Sequence, residues 1–265
     1  MAAFNLEGFR QALRTRVMGR RCYYVPVVPS TNTTAHVLGC QGEPEGTIVC
    51  ADAQTAGRGQ AGRVWISPPE RNVYASILLR PPITPAQAPL ISLLTAVALV
   101  DTLRQARVAC GIKWPNDVLI QGRKVAGILT EMETQGEDVL FVVVGIGINV
   151  NMAQAELDHD LGPIAPTATS LQVTLGRAIA REALLASLLW DLERWYDIFR
   201  TEGSPPLCQA WEARSLMRGR RILARTPAGR VEGTAEGIDQ AGHLLVRTVG
   251  GSLLILTSAE VRLLE

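Results

Sequence analysis

The sequence predicts an α+β protein whose last stretch forms a separate, small all-β unit. Three observations lead there. First, strand-like and helix-like apolar patterns are interspersed along most of the chain. Second, Lys124–Glu133 and Asp138–Val150 read as two strands joined at Thr134-Gln135-Gly136-Glu137, a hairpin, so at least part of the sheet is antiparallel. Third, the texture changes at about Gly219: short strands follow one another with turn signals every eight to twelve residues or so, the pattern of a small β-barrel.

Composition sets the bounds. A chain of 265 residues with 47% hydrophobic and 19% charged residues is that of a globular protein with a sizeable core. A net charge of +1 argues against a dedicated nucleic-acid surface. No uninterrupted apolar run reaches the roughly 18 residues of a membrane span. The first residues, Met1 to Arg21, hold Glu7 and five arginines and no apolar centre, so no signal peptide is expected. Five scattered cysteines (Cys22, Cys40, Cys50, Cys110, Cys208) without a C-x-x-C pair read as reduced thiols of a cytoplasmic protein. The three histidines are far apart, and nothing suggests a structural metal.

The elements follow in order. Asn5 caps a short helix, with Phe4 and Phe9 as its staple. Tyr23–Val28 is a strand ending at Pro29-Ser30-Thr31-Asn32, which caps a helix starting near Thr33. Thr47–Asp52 is a second strand, and Asn72–Arg80 a third, half-buried by its alternation. Thr84, Pro85 and Gln87 form a capping box with proline at the first helical position, and Leu90, Leu93, Leu94 and Val97 then mark one apolar face. Ile112–Trp114 and Asp117–Ile120 flank a bend at Pro115-Asn116. Asp138–Val150 is nearly continuous in apolar residues, so it should be a central strand covered on both faces. Ala153–Thr169, with Pro163 and Pro166, reads as a loop. Leu184, Leu188, Leu192, Trp195 and Phe199 trace the longest helix, Arg181–Phe199, ended by Gly203-Ser204-Pro205-Pro206. The small unit holds strands near Arg221–Arg225, Val231–Glu236, Leu244–Thr248, Leu253–Leu256 and Val261–Leu263, with turns at Pro227-Ala228-Gly229, Asp239–Gly242 and Gly250-Gly251. The boundary falls between residues 1–217 and 218–265.

One stretch concentrates chemistry. Gly57-Arg58-Gly59-Gln60-Ala61-Gly62-Arg63-Val64-Trp65 packs three glycines, two arginines and a tryptophan into nine residues. It reads equally as a solvated turn or as an anion-binding nest with two guanidinium forks. Further polar stretches fall at strand ends: Ser30-Thr31-Asn32, Gln54, Lys113-Trp114-Pro115-Asn116-Asp117 and Arg123-Lys124-Val125-Ala126-Gly127-Ile128-Leu129. In Gly145-Ile146-Gly147-Ile148-Asn149, two glycines interrupt a bulky strand, a mark of close approach by a ligand or backbone. Taken singly, each lysine reads as a solvated side chain, and Asp117 and Asn149 as turn residues.

Together these stretches resemble the biotin protein ligases. The glycine stretch is similar to the family's G-R-G-R-x-G-R-x-W. Lys113–Asp117 matches K-W-P-N-D, Arg123–Leu129 R-K-x-A-G-I-L, Gly145–Asn149 G-x-G-I-N, and Ser30–Asn32 S-T-N. Five motifs in the family's order make the resemblance specific. It covers Tyr23 to the C terminus and points to the monofunctional type without an N-terminal DNA-binding domain. It implies a mixed, largely antiparallel sheet with helices, similar to class II aminoacyl-tRNA synthetases, and an SH3-like barrel.

The resemblance also implies a reaction. Biotin and ATP give biotinyl-5′-AMP and pyrophosphate, and a lysine of a biotin carboxyl carrier domain then receives the biotin. Lys124, Arg58, Lys113 and Asp117 would be the catalytic groups. Ser30, Thr31, Asn32, Gln54, Arg58, Gly59, Gln60 and Lys124 would hold biotin. Arg63, Trp65 and Asn149 would hold ATP. Mg²⁺ would be carried mainly by the phosphates. Gln60 departs from the family, whose signature has arginine there, so a weaker hold on biotinyl-AMP is expected. The partner would be the carrier domain; a homodimer is left open, and neither nucleic acid nor membrane is expected. Two other readings compete: a lipoate or octanoate attachment enzyme, and a non-catalytic biotin sensor.

Overall fold

The computed structural model describes residues 3–227 and 229–264. Its centre is a seven-stranded sheet: β1 (Cys22–Val28), β2 (Ile48–Gln54), β3 (Val73–Leu79), β4 (Gly111–Lys113), β5 (Asp117–Ile120), β6 (Arg123–Gln135) and β7 (Asp138–Ile148). The spatial order is β1-β2-β3-β7-β6-β5-β4, with β7 in the middle, as its apolar run predicted. Only β1 and β2 run parallel, joined by the crossover helix α2 (Thr31–Cys40). The other neighbours are antiparallel. This is the mixed α+β architecture the sequence predicted.

The alternation within β7 shows how the two faces divide the work. Side chains of a strand point alternately to opposite faces. Val142, Val144, Ile146 and Ile148 point into the main core, together with Ile48, Cys50, Ala75 and Ile77. The other phase reads Val143, Gly145, Gly147, Asn149. Val143 packs beneath α2 with Ala35, Val49, Leu78 and Phe141, and the two glycines then leave room above the sheet that Asn32 and Trp65 occupy. Bulk on one face and its absence on the other thus produce a core and a trough from one strand.

The main core is closed by α1 (Leu6–Ala12), α3 (Ala88–Gln105), α6 (Arg181–Glu202) and α7 (Ser204–Glu212). Asn5 caps α1 by accepting from the Gly8 N–H at 3.0 Å, and the Phe4 and Phe9 rings lie 5.7 Å apart. The Thr84–Gln87 capping box is present. α3 lies between the sheet and α6, so it is buried nearly all round rather than on the one face its leucines suggested. Residues Pro85–Gln105 are apolar and long enough to cross a membrane, yet 78% of that window is buried inside the protein.

Several expectations need correction. α2 begins at Thr31, not Thr33, with Ser30 as N-cap, so Thr31 and Asn32 belong to its first turn. β3 is buried along its whole length, because Tyr74, Ser76 and Leu78 lie under the site and α2 rather than in solvent. The expected loop at 153–169 contains α4 (Gln154–Leu161) and a 3₁₀ turn, Gly162–Thr167. The prolines obscured α4, whose start is fixed by Glu156 accepting from the Ala153 N–H at 2.8 Å. A short helix, α5 (Leu171–Leu175), follows. Gly203 does end α6, but the next residues start α7, with Pro205 in the first turn where a missing N–H costs nothing.

The C-terminal strands are β8 (Arg221–Thr226), β9 (Gly229–Ile238), β10 (Leu244–Thr248), β11 (Leu253–Leu256) and β12 (Glu260–Leu263). They form one antiparallel sheet in the order β11-β10-β9-β8-β12, with Ile222, Ala224, Ala235, Leu244 and Val246 buried. Each matches a predicted strand; Ala228, in the predicted turn, lies outside the described residues.

Candidate active site

The trough on the α2 face is where the predicted residues meet. Its floor is glycine. Gly127 of β6 pairs directly with Gly147 of β7, and Gly145 faces Leu129 two pairs along, on the same face. A Cβ on Gly145 would stand 2.1 Å from Asn32 Oδ1, and one on Gly147 2.5 Å from the Trp65 indole. Only glycine admits these two side chains to the sheet.

The glycine stretch forms a small hairpin over this floor. Arg58 and Val64 pair antiparallel. Gly59 N–H donates to Arg63 O at 2.6 Å, and Trp65 N–H to Gly57 O at 2.9 Å. Ala61 and Gly62 take positive φ at the tip, at 55° and 73°. The hairpin uses the Gly59, Arg63 and Trp65 N–H groups for its own hydrogen bonds. Gly57 is required for space: a Cβ there would meet Trp65 O at 2.3 Å. The indole of Trp65 lies across Gly127 and Gly147, with Lys124 Nζ 5.2 Å from its ring centre, and its buried Nε1–H has no partner among the described residues.

The second wall is the Lys113–Asp117 turn. Trp114 is buried and donates from Nε1 to Gly242 O at 3.0 Å, which ties the turn to the C-terminal sheet. Asn116 accepts from Ile128 N–H at 3.1 Å and donates from its side chain to Ile128 O. These two residues fasten the turn, and Lys113 and Asp117 are left projecting. Asp117 accepts from both lysines: Lys124 Nζ stands 2.5 Å from Oδ1, and Lys113 Nζ 3.4 Å from Oδ2. One carboxylate thus holds two ammonium groups side by side, with a net positive charge, at the edge of the trough.

At the other end, α2 presents its first turn. Ser30 is buried as N-cap, and among the described residues its hydroxyl has no hydrogen-bond partner. Gln54 Oε1 accepts from Thr31 N–H at 2.9 Å and lies 3.2 Å from Thr31 Oγ1, while Gln54 Nε2 donates to Ser67 Oγ at 3.0 Å. Asn32 is fully engaged by protein groups: its Nδ2 donates to Leu129 O and Glu131 Oε2, and its Oδ1 accepts from Ser76 Oγ.

The remaining predicted residues sit at the margins. Asn149 is buried beside Lys124, with its N–H on Val125 O and its Nδ2 on Thr169 O. Arg58 pairs with Glu131 at 2.8 Å. Arg63 turns away from the floor to Glu260 of β12, at 3.3 Å. Gln60 starts the turn of the hairpin tip, and among the described residues its side-chain amide has no hydrogen-bond partner. Sequence reasoning missed Ser76, Ser67 and Glu131. A signal existed for Glu131: it shares the face of Gly127 and Leu129 by alternation, and a charged residue there faces the trough.

Comparison with known proteins identifies the family. Residues 24–149 match the Biotin/lipoate A/B protein ligase family, and residues 219–264 match the Biotin protein ligase C terminal domain. The chain is 42% identical over 255 residues to the bifunctional ligase/repressor BirA of Bacillus subtilis, covering 96% of this chain and 77% of that protein. It is 39% identical over 241 residues to the biotin–[acetyl-CoA-carboxylase] ligase of Paracoccus denitrificans, covering 88% and 96% respectively. The solved biotin protein ligase of Aquifex aeolicus in complex with biotin and ATP has the same fold, with a TM-score of 0.77 and 26% identity over 92% of this chain and 99% of that one. By these matches, spread over both sheets, the chain belongs to the biotin/lipoate A/B protein ligase family and, within it, to the biotin protein ligases.

Proposed function

We propose that the protein activates biotin with ATP and passes it to a lysine of a biotin carboxyl carrier domain. In the first step a biotin carboxylate oxygen bonds to the α-phosphorus of ATP. The bond from that phosphorus to the bridging oxygen breaks, and pyrophosphate leaves with its electron pair. In the second step the carrier lysine nitrogen bonds to the acyl carbon of biotinyl-5′-AMP, loses a proton and displaces AMP.

The observation that carries this reading is the Asp117-bridged pair Lys113 and Lys124 beside Trp65, under a glycine hairpin. Negative charge gathers on the phosphoryl oxygens in the first step, and fixed cations aimed there lower the barrier. Lys124 reaches the carboxylate and α-phosphate, and Asp117 holds both ammonium groups against solvent and their mutual repulsion. Ser30, Thr31 and Gln54 bond the ureido head, with Arg58–Gln60 closing over it. Trp65 stacks on adenine, whose edge meets Asn149. The catalytic role belongs to residues 1–217, while 218–265 supports the Lys113–Asp117 turn through Gly242. Among the described residues no three His, Cys, Asp or Glu side chains cluster to hold a metal, and both Asp117 oxygens are occupied by lysines. We assign Mg²⁺ mainly to the phosphates of the incoming nucleotide, whose negative oxygens are the hard ligands it prefers.

The test is to incubate the protein with ATP, Mg²⁺, biotin and a carrier domain, and to weigh the carrier. A gain of one biotinyl group on its lysine is expected. An unchanged mass, or equal transfer of lipoate, would reject the reading.

A further inference from the structure

Glu131 stands on β6, in phase with Gly127, at the edge of the trough. Its Oε2 accepts from Arg58 Nη2 at 2.8 Å and from Asn32 Nδ2 at 2.7 Å. Arg58 belongs to the first limb of the glycine hairpin, and Glu131 is the partner its side chain has on the central sheet. From Asn32 a polar chain runs back to the second limb. Asn32 Oδ1 lies 2.6 Å from Ser76 Oγ, and Ser76 Oγ 2.8 Å from Thr31 Oγ1. The Thr31 N–H donates to Gln54 Oε1 at 2.9 Å, Gln54 Nε2 donates to Ser67 Oγ, and Ser67 Oγ donates to Trp65 O at 3.0 Å. One continuous chain of hydrogen bonds therefore fastens both limbs. The second limb has several further contacts through Gly57 and the trough floor. The base of the first limb is held by the Thr55 and Ala56 N–H groups, which donate to Val28 O at 3.0 Å and Pro29 O at 2.8 Å; beyond that base, the Arg58 side chain meets the sheet at Glu131.

We propose that Glu131 is the positioning residue that keeps the glycine hairpin closed over bound biotinyl-adenylate, acting through Arg58. The proposal builds on the ligase reading above, which makes the hairpin a cover. The pair is partly exposed, with 47% of the Arg58 side chain and 32% of the Glu131 side chain open to solvent. A pair of that exposure contributes little to global stability. It matters to a hairpin that must open and close, because such segments sit at the low-stability end of the structure. Glu131 touches neither the Asp117-held lysines nor the glycine floor, so its loss should alter how long the intermediate is held rather than how fast it forms.

The experiment measures release of preformed biotinyl-adenylate from the full chain, in the natural protein, Glu131→Gln, Arg58→Gln and the double variant. Glutamine keeps an acceptor for Asn32 and removes only the charge facing Arg58. Release from Glu131→Gln should be about two- to fivefold faster. The KM for biotin should rise, while pyrophosphate formation at saturating substrates and the thermal midpoint stay near natural values. The double variant should release no faster than the faster single one, because both changes break the same contact. A purely structural role would lower the midpoint and leave the two changes uncoupled. If the natural protein holds the adenylate and Glu131→Gln holds it as long, or if the two changes multiply, this proposal is overturned alone. If the natural protein forms no adenylate, the ligase reading falls and takes this proposal with it.

Discussion

Gly147 lies directly beneath Trp65: a Cβ built on it would stand 2.5 Å from indole Cε2 and 2.6 Å from Nε1. The atoms it would meet belong to a rigid ring, so the ring must lift. Gly147→Ala is expected to leave the strand intact, since alanine fits extended backbone better than glycine does. It should still cost at least about tenfold in pyrophosphate release, because sub-ångström misplacement at a reacting centre has effects of that size. Circular dichroism and a pyrophosphate assay on the same sample check both halves. A variant with natural activity would show that Trp65 does not need this floor.

Lys124→Ala removes one of the two ammonium groups held by Asp117. Pyrophosphate release should fall by about a hundredfold or more, the usual effect of deleting a group that stabilises transition-state charge. Asp117→Asn should also lose activity, since neither lysine keeps its ionic partner. Folding should survive Lys124→Ala, because the side chain is a third exposed and supports no core packing. Natural-like adenylate formation in Lys124→Ala would remove this residue from the chemistry.

Gln60 occupies the hairpin tip where the family resemblance calls for arginine, and its side chain has no hydrogen-bond partner among the described residues. Restoring a fixed charge with Gln60→Arg should slow release of biotinyl-adenylate several-fold, on the order of one charge-assisted hydrogen bond. Equal release from both proteins would make the tip residue irrelevant to retention.

Glu193 on α6 accepts from the N–H groups of Arg16, Val17 and Met18 at 2.8–2.9 Å, and from the Arg16 side chain. Burial opposes its charged form, but these donors outweigh it and hold the carboxyl below the ordinary range. A depressed folded pKa adds stability above the unfolded value, about 4.3, and that stability is lost as pH falls through the folded pKa. Glu193→Ala should cost roughly 2–4 kcal/mol near neutrality by leaving buried donors without an acceptor. Glu193→Gln should cost less and flatten the decline in stability below about pH 4.3. Urea titrations at several pH values measure both.

Short-range chemistry was sufficient for a large part of this protein. The cap at Asn5, the Thr84–Gln87 box, the β6–β7 hairpin and the five C-terminal strands each depend on residues a few positions apart, and each was found where the pattern put it. The motif residues could be gathered too, because resemblance to a family links stretches that no local rule connects. Local rules failed at α4, where prolines downstream outweighed a capping glutamate in the reading. They also could not order the sheet, since an apolar strand reads the same beside any neighbour. The finer placement was decided by contacts between distant positions. Arg58 and Glu131 are 73 residues apart, Asn32 and Ser76 44, and Trp114 and Gly242 128. A carboxylate that holds a hairpin and one that merely faces water are identical in sequence. Only the pairing of β6 with β7, which lays Gly127 against Gly147 under Trp65, brings those partners within hydrogen-bond reach.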